Sequence, residues 1–450
     1  MTSRARTRVL EQSADGGVVT FSELPGGLRI ISESVPGSRS ASVGIWVGVG
    51  SIDETPRLSG ASHFLEHLLF KGTSTRTGRE IAVAIDAVGG DLNAFTSHEY
   101  TCYYAHVLAS EAKMAIDMVC DVVLDASITS GDVDVERQVI LEEIAMRDDD
   151  PEDVLSDTFS QTVFAGELLA QPVIGTVQTI EQLSRTQIAG YYKRRYDPTK
   201  MVVAVAGGID HADVLRWVRK AFGPYLTAGE TPMAARAGVV KPHPRRGALA
   251  LIERDTEQAH LCLGVRSLGR HDPRRHAAAV FSTALGGGMS SRLFHAVREE
   301  RGLAYSCYTA SSTYAATGSF SVYVGCQPDN LDEVVDVLQR ELQDSRAGLL
   351  TEEISRAKGQ LIGSTILGLE DAESRMSRIG KNELVRGGYR SVQEDLDAVS
   401  AVTAAQVYEI ANELLSRPLH AGLVGPYAEP SQTPKALRAM ISDGLGPVTL

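Results

Sequence analysis

The sequence has no apolar run approaching the roughly 20 residues that a membrane-spanning helix needs. Its longest, such as Met201–Ala206, fall far short. It also lacks a cationic excess: 44 Lys and Arg face 57 Asp and Glu, for a formal net charge of −13. A nucleic-acid binder needs a basic face for phosphates, so that class is excluded, while basic substrates are not. Cysteine is sparse and scattered, with five residues and no C-x-x-C pair. That excludes a disulfide scaffold and a cysteine zinc site, and points to a reducing compartment. The first 17 residues carry Arg4, Arg6 and Arg8 but no apolar core of a secretory signal. Glu11 and Asp15 interrupt the acid-poor pattern of an organellar leader. The expected compartment is therefore a cytoplasm, with an organelle, the mitochondrial matrix, as the alternative. Finally, Gly286-Gly287-Gly288 has no following G-K-[ST], which excludes a phosphate-cradling loop and leaves a glycine turn.

What is present is an ordinary globular composition, 43% hydrophobic and 22% charged over 450 residues. A single core of that size is too large, so two or three domains are expected. Residues 226–247 hold Gly, Pro, Ala and Arg without apolar periodicity, ending in His243-Pro244-Arg245-Arg246-Gly247, and read as a linker. The segments on either side share an order of elements. Strand-like Arg29–Ser32 and Ala41–Val49 correspond to Ala248–Ile252 and Ala259–Val265. Tyr100–Val107, a helix to Leu124 and a second helix capped at Ser130 correspond to Gly318–Gly325, a helix to Leu342 and another capped at Thr351. The offset is about 220 residues, the mark of a duplication. The expected fold class is α+β: two homologous domains, 18–225 and 248–450, joined by the linker.

Chemistry concentrates in Ser59-Gly60-Ala61-Ser62-His63-Phe64-Leu65-Glu66-His67-Leu68-Leu69-Phe70-Lys71-Gly72. Ser59 reads as an N-cap and Gly72 as a helix stop. On a helix His63 and His67, four apart, lie on one face and can converge on one metal. Glu66 sits beside them, placed to take a proton from a water on that metal. Ordinary helix-face histidines are the alternative, and a third ligand decides between the two. The helix opened at Ser130 has Val133, Ile140 and Ile144 on its apolar face. At 100° per residue Glu136 and Glu143 fall on that face, whereas Glu142 points away. Two core-facing carboxylates need a cation or a paired base. A zinc ion held by His63, His67 and Glu143, with Glu136 bonded to a ligand, meets that need. A salt bridge to Arg137 is the competing explanation.

The H-x-x-E-H motif, followed 76 residues after His67 by Glu143, resembles the pitrilysin and mitochondrial-processing-peptidase family, in the single-chain bacterial type. The resemblance implies one zinc per chain on His63, His67 and Glu143, with Glu66 as general base and Glu136 in support. It covers roughly Phe21 to Gly425. Gly89-Gly90-Asp91-Leu92-Asn93-Ala94-Phe95-Thr96 is similar to the family's cleft-lining edge strand, with Asn93 and Ala94 contacting substrate backbone. Such an edge binds extended peptides without demanding a sequence. A turn residue after Gly-Gly is the plainer reading of Asn93. Arg298 and Tyr305 match the family's R-x(6)-Y segment, and by resemblance they grip substrate carbonyls and the tetrahedral intermediate.

Counting from the caps, the second half has Ala357 and Ser364 where the first has Glu136 and Glu143, so the duplicate has no metal site. The resemblance further implies half of a clamshell around a closed chamber. The expected assembly is a homodimer with composite sites: His63, Glu66, His67 and Glu143 from one protomer, Arg298 and Tyr305 from the other. The expected function is a zinc metalloendopeptidase cutting short or unfolded peptides, basic ones included. The alternatives are a non-catalytic scaffold, such as a respiratory-complex core subunit, and a processing subunit that needs a separate partner. The acidic run Asp148–Asp153 reads as a solvated face, or as the lining of a chamber for basic peptides.

Overall fold

The structure, a computed structural model, describes residues 5–13, 16–238 and 246–445. Most of the linker's basic end, residues 239–245, and the last five residues of the second expected domain lie outside them. The chain forms two compact units. The first comprises 1–145, 172–236 and 366–391; the second comprises 146–171, 237–365 and 392–450.

The first unit is built on a seven-stranded sheet from β1 (Arg6–Gln12), β2 (Val18–Glu23), β3 (Arg29–Ser34), β4 (Ser40–Val47), β5 (Asp91–Thr96), β6 (Thr101–Leu108) and β7 (Met201–Gly207). Their order is β1-β2-β3-β7-β4-β6-β5, parallel only between β3 and β7. Strand β7, Met-Val-Val-Ala-Val-Ala-Gly, is buried throughout, as a central strand covered on both faces requires. The second unit has a five-stranded sheet from β8 (Leu249–Glu253), β9 (Ala259–Ser267), β10 (Ala304–Thr313), β11 (Gly318–Cys326) and β12 (His420–Gly425). Its order, β10-β11-β9-β12-β8, with β12 and β8 parallel, reproduces β5-β6-β4-β7-β3 of the first. The fold is thus a duplicated α+β unit, to which the first copy adds the β1-β2 hairpin.

Five helices frame the first half: α1 (Ala61–Leu69), α2 (Gly78–Asp86), α3 (Ala112–Leu124), α4 (Ser130–Asp149) and α5 (Pro151–Val163). Helix α3 presents Ala115, Ile116, Val119, Cys120 and Val123 at helical spacing to the larger core of the first unit. Each sheet is covered on its other face by a helix distant in sequence. In the first unit this is Ala372–Arg386, where Met376 reaches Trp46 and Gly380 lets the Trp46 indole approach. In the second it is α5, whose Phe159 packs on Gly264, where a Cβ would stand 2.8 Å from the ring, and whose Leu155 packs on Gly422, where a Cβ would be held to a tight 3.0 Å. The linear boundaries 18–225 and 248–450 leave each of these helices with its chain neighbours, and the compact units assign it otherwise.

Three expected caps are corrected. Thr129, not Ser130, caps α4, its hydroxyl accepting from the Asp132 N–H at 3.1 Å. Thr351 is the first residue of the helix Thr351–Gly368, where the Glu353 carboxylate instead accepts from the Leu350 N–H at 2.7 Å. Ser59 does not cap α1, because the N-cap position is Gly60 with φ +90°. All five cysteines are buried free thiols. No described helix is long and apolar enough to cross a membrane.

Candidate metal centre

Helix α1 is two and a half turns long and buries Phe64, Leu65, Leu68 and Leu69, so its other side turns His63, Glu66 and His67 toward α4, with Glu66 and His67 lining a hollow. Helix α4 buries Val133, Glu136, Ile140 and Ile144, and the same face brings Glu143 alongside. The two imidazole centroids are 4.8 Å apart. Glu143 Oε2 lies 3.7 Å from His63 Nε2 and 3.5 Å from His67 Nε2. Donor atoms on a tetrahedral zinc, each about 2.0–2.2 Å from the ion, are separated by about 3.3–3.6 Å. The three side chains thus stand at the spacing a zinc ion requires, and among the described residues they are the one such group.

The surroundings fit the same ion. Glu136, 2% exposed, places Oε2 3.1 Å from His67 Nδ1, leaving Nε2 directed at the cluster. A carboxylate so placed fixes ring orientation and tautomer. Its other oxygen lies 2.6 Å from Lys71 Nζ, which balances the buried charge. Arg137 is not the partner of these carboxylates: it donates to the carbonyls of Ile180 and Leu183. Burial, and then His67, push the His63 pKa down to about 4, so its imidazole is neutral with a lone pair to offer. Burial raises the Glu66 carboxyl above its ordinary range, against the pull of hydrogen bonds from Thr96 and of His67. Glu66 Oε2 is buried without a protein hydrogen-bond partner, a vacant acceptor beside the cluster.

The hollow, about 320 Å³, is lined by Glu66, His67, Phe70, Lys71, Asn93, Glu136 and Glu143. Asn93 and Ala94 lie within β5, not in a turn, and β5 is the edge strand of its sheet. The Asn93 side chain is exposed, and its Oδ1 accepts from the Ala94 N–H at 2.8 Å. Arg298 and Tyr305 are neighbours in the second unit. The guanidinium lies 4.4 Å over the Tyr305 ring and donates to the Tyr305 carbonyl at 3.0 Å. Tyr305 is 76% exposed. The acidic run is exposed, except that Pro151 is half-buried; Asp150 accepts from the Glu152 and Asp153 N–H groups as the cap of α5.

Glu54 belongs to the site without any motif in the sequence to mark it. It is 7% exposed, and its carboxylate accepts from the Gly60 N–H at 2.8 Å and the Ser62 N–H at 2.7 Å, at the head of α1. Lys71, beside the Gly72 helix stop, is the other, through its ion pair with Glu136. An acidic residue shortly before the motif, and a basic one four residues after His67, were the available signals.

The sequence profile "Insulinase (Peptidase family M16)" matches residues 29–177, and "Peptidase M16 inactive domain" matches 182–361. An "uncharacterized zinc protease" of Mycobacterium leprae is 48% identical over 441 residues, covering 97% of this chain and 98% of that protein. Proteins of the same printed description in Streptomyces coelicolor and Bacillus subtilis are 50% and 38% identical. They cover 94% and 89% of this chain, and 93% and 96% of their own lengths. A solved protease from Helicobacter pylori shares the fold, with TM-score 0.81 at 21% identity, over 91% of this chain and 99% of that one. The duplicated α+β units, the inverted motif and full-length relatives at this identity agree, and the chain belongs to peptidase family M16.

Proposed function

We propose that the chain is a zinc metalloendopeptidase that hydrolyses short or unfolded peptides. The observation that carries this reading is the convergence of His63, His67 and Glu143 beside the unpartnered Glu66 oxygen. The donor set, two neutral imidazoles and a carboxylate, is that of hydrolytic zinc sites with an open position. Zinc held there would supply Lewis acidity toward the scissile carbonyl and lower the pKa of water. Glu66 takes a proton from the attacking water as the new C–O bond forms. It then delivers that proton to the amide nitrogen as the C–N bond breaks. Glu136 holds His67, and Lys71 holds Glu136.

The free side of β5 supports an extended substrate, pairing main chain to main chain at Asn93, which lines the hollow, and at the adjoining Ala94. Arg298 and Tyr305 would donate to substrate carbonyls from the second unit of a partner protomer, completing composite sites in a homodimer that closes around a chamber. The bacterial cytoplasm is the proposed compartment. Basic peptides fit the acidic run if it lines that chamber.

The test is a peptide-library digest by wild type and Glu66→Gln. Turnover should fall on the order of 10³-fold, the scale of general-base catalysis, with zinc retained. Undiminished cleavage by the variant contradicts the mechanism.

A further inference from the structure

Helix α1 carries three of the site's side chains, yet it begins without a cap of its own. Its first N–H groups need acceptors. Gly60, in the left-handed region, has no side chain to offer. A Cβ there would stand 2.7 Å from the Ile174 carbonyl oxygen and from Ile180 Cδ1, so the position is held to glycine. Glu54 fills the need from outside, one carboxylate oxygen on Gly60 N–H and the other on Ser62 N–H, the residue before His63.

The segment that bears Glu54 is itself fastened to the substrate strand. Ser51 and Ile52 N–H donate to the carbonyls of Ser97 and His98 at 3.2 and 3.0 Å, in the turn that follows β5. Gly50 lies so close to that turn that a Cβ would sit 2.3 Å from the Ser97 carbonyl oxygen. Asp53 accepts from Gly50 N–H at 3.1 Å and from Arg236 at 2.7 Å. Arg195 donates to the Asp53 carbonyl at 2.7 Å. Strand β5 ends at Thr96, which hydrogen-bonds Glu66. The result is a closed circuit: α1 to β5 through Glu66 and Thr96, β5 to the 50–54 strap through its turn, and the strap back to α1 through Glu54.

We infer that Glu54 is a positioning residue: it sets where α1, with the zinc ligands and the general base, stands relative to the edge strand on which substrate lies. This rests on the zinc-peptidase reading. Carboxylate geometry explains why the residue is Glu. Two N–H groups two residues apart each meet an oxygen, whereas a Gln amide would turn an NH2 toward one of them. A negative charge at the helix N-terminus adds a favourable dipole term.

The experiment compares Glu54→Gln with Asp210→Ala, which removes the cap of the helix His211–Phe222, away from the centre. Zinc affinity is read by chelator competition, and kcat and KM are read per zinc-loaded molecule. Expected for Glu54→Gln is zinc binding weakened about 10-fold, within the range for groups that orient ligands. Its kcat should fall by about 10²-fold, as for a displacement of about 1 Å, with KM changed less than twofold. Asp210→Ala should lose stability and change neither. Equal zinc affinity and equal kcat in Glu54→Gln, with only lower stability, would make Glu54 a plain helix cap and overturn the inference. If Glu54→Gln does not unfold cooperatively, Glu54→Asp enters the same assays with the same expectations in direction. If wild type binds zinc but cleaves nothing, the peptidase reading fails, and the zinc affinity alone decides the role of Glu54.

Discussion

Helix α4 and the helix Thr351–Gly368 hold the same place in the two copies of the fold, and their paired positions are instructive. Glu136 and Ala357 are each 2% exposed. One buried site carries a carboxylate and the other a methyl group. Glu143 faces two imidazoles, while Ser364 is exposed and donates to its own helix at the Leu361 carbonyl. At this position the buried charge stands where His67 and Lys71 meet it. Ala357, without such partners, belongs to the hydrophobic core that also holds Ile354, Leu338 and Leu342.

If the copies divide the chemistry, with metal and base in the first and grip in the second, they can be separated genetically. Glu66→Gln and Arg298→Ala protomers, each inactive alone, should regain activity in mixed dimers at about 10²-fold or more above either parent, since removing one donor to a developing oxyanion costs about that much. No recovery in verified mixed dimers would rule out composite sites. The paired helix positions give the next test. Glu136→Ala should weaken zinc binding about 10- to 100-fold, measured by chelator competition. Ala357→Glu, burying a charge with no partner, should destabilise by about 3 kcal/mol or more in urea unfolding, and leave zinc affinity unchanged. Equal outcomes at the two positions would erase the distinction.

A smaller effect concerns pH. The folded-state pKa of His63 is depressed to about 4, so between its unfolded value near 6.5 and 4 the unfolded chain binds the extra proton. The metal-free protein should therefore lose stability as pH falls through that window, by at most about 1.4 kcal/mol per pH unit from this group. Glu54 acts oppositely. Burial, partly offset by the Ser62 and Gly60 N–H groups, pushes its pKa up to about 7, so its contribution declines as pH rises from 4.5 to 7. His63→Gln should flatten the first trend and Glu54→Gln the second. Urea midpoints across pH 4–8 on chelator-treated protein would show either trend failing.

Much of the site is local and was legible. The spacing of His63 and His67 requires only one helix face, and the wheel of α4 requires only Val133, Ile140 and Ile144 to mark the core. What escaped is non-local. Nothing in the periodicity of residues 50–58 announces that Glu54 returns to cap a helix beginning at Ala61. The local rule chose Ser59, whereas the chain conformation at Gly60 excludes it. The amphipathic helices Pro151–Val163 and Ala372–Arg386 were equally opaque. An apolar stripe says that a helix packs against a sheet, not which sheet, and the small residues Gly264, Gly422 and Gly44 that admit them lie far away in sequence.

The most direct measurement is zinc stoichiometry by equilibrium dialysis on wild type, Glu66→Gln and His67→Ala, each confirmed as folded. One zinc per chain is expected in the first two, and none bound at the same affinity in the third. Zinc retained in full by His67→Ala would place the metal elsewhere and contradict that expectation.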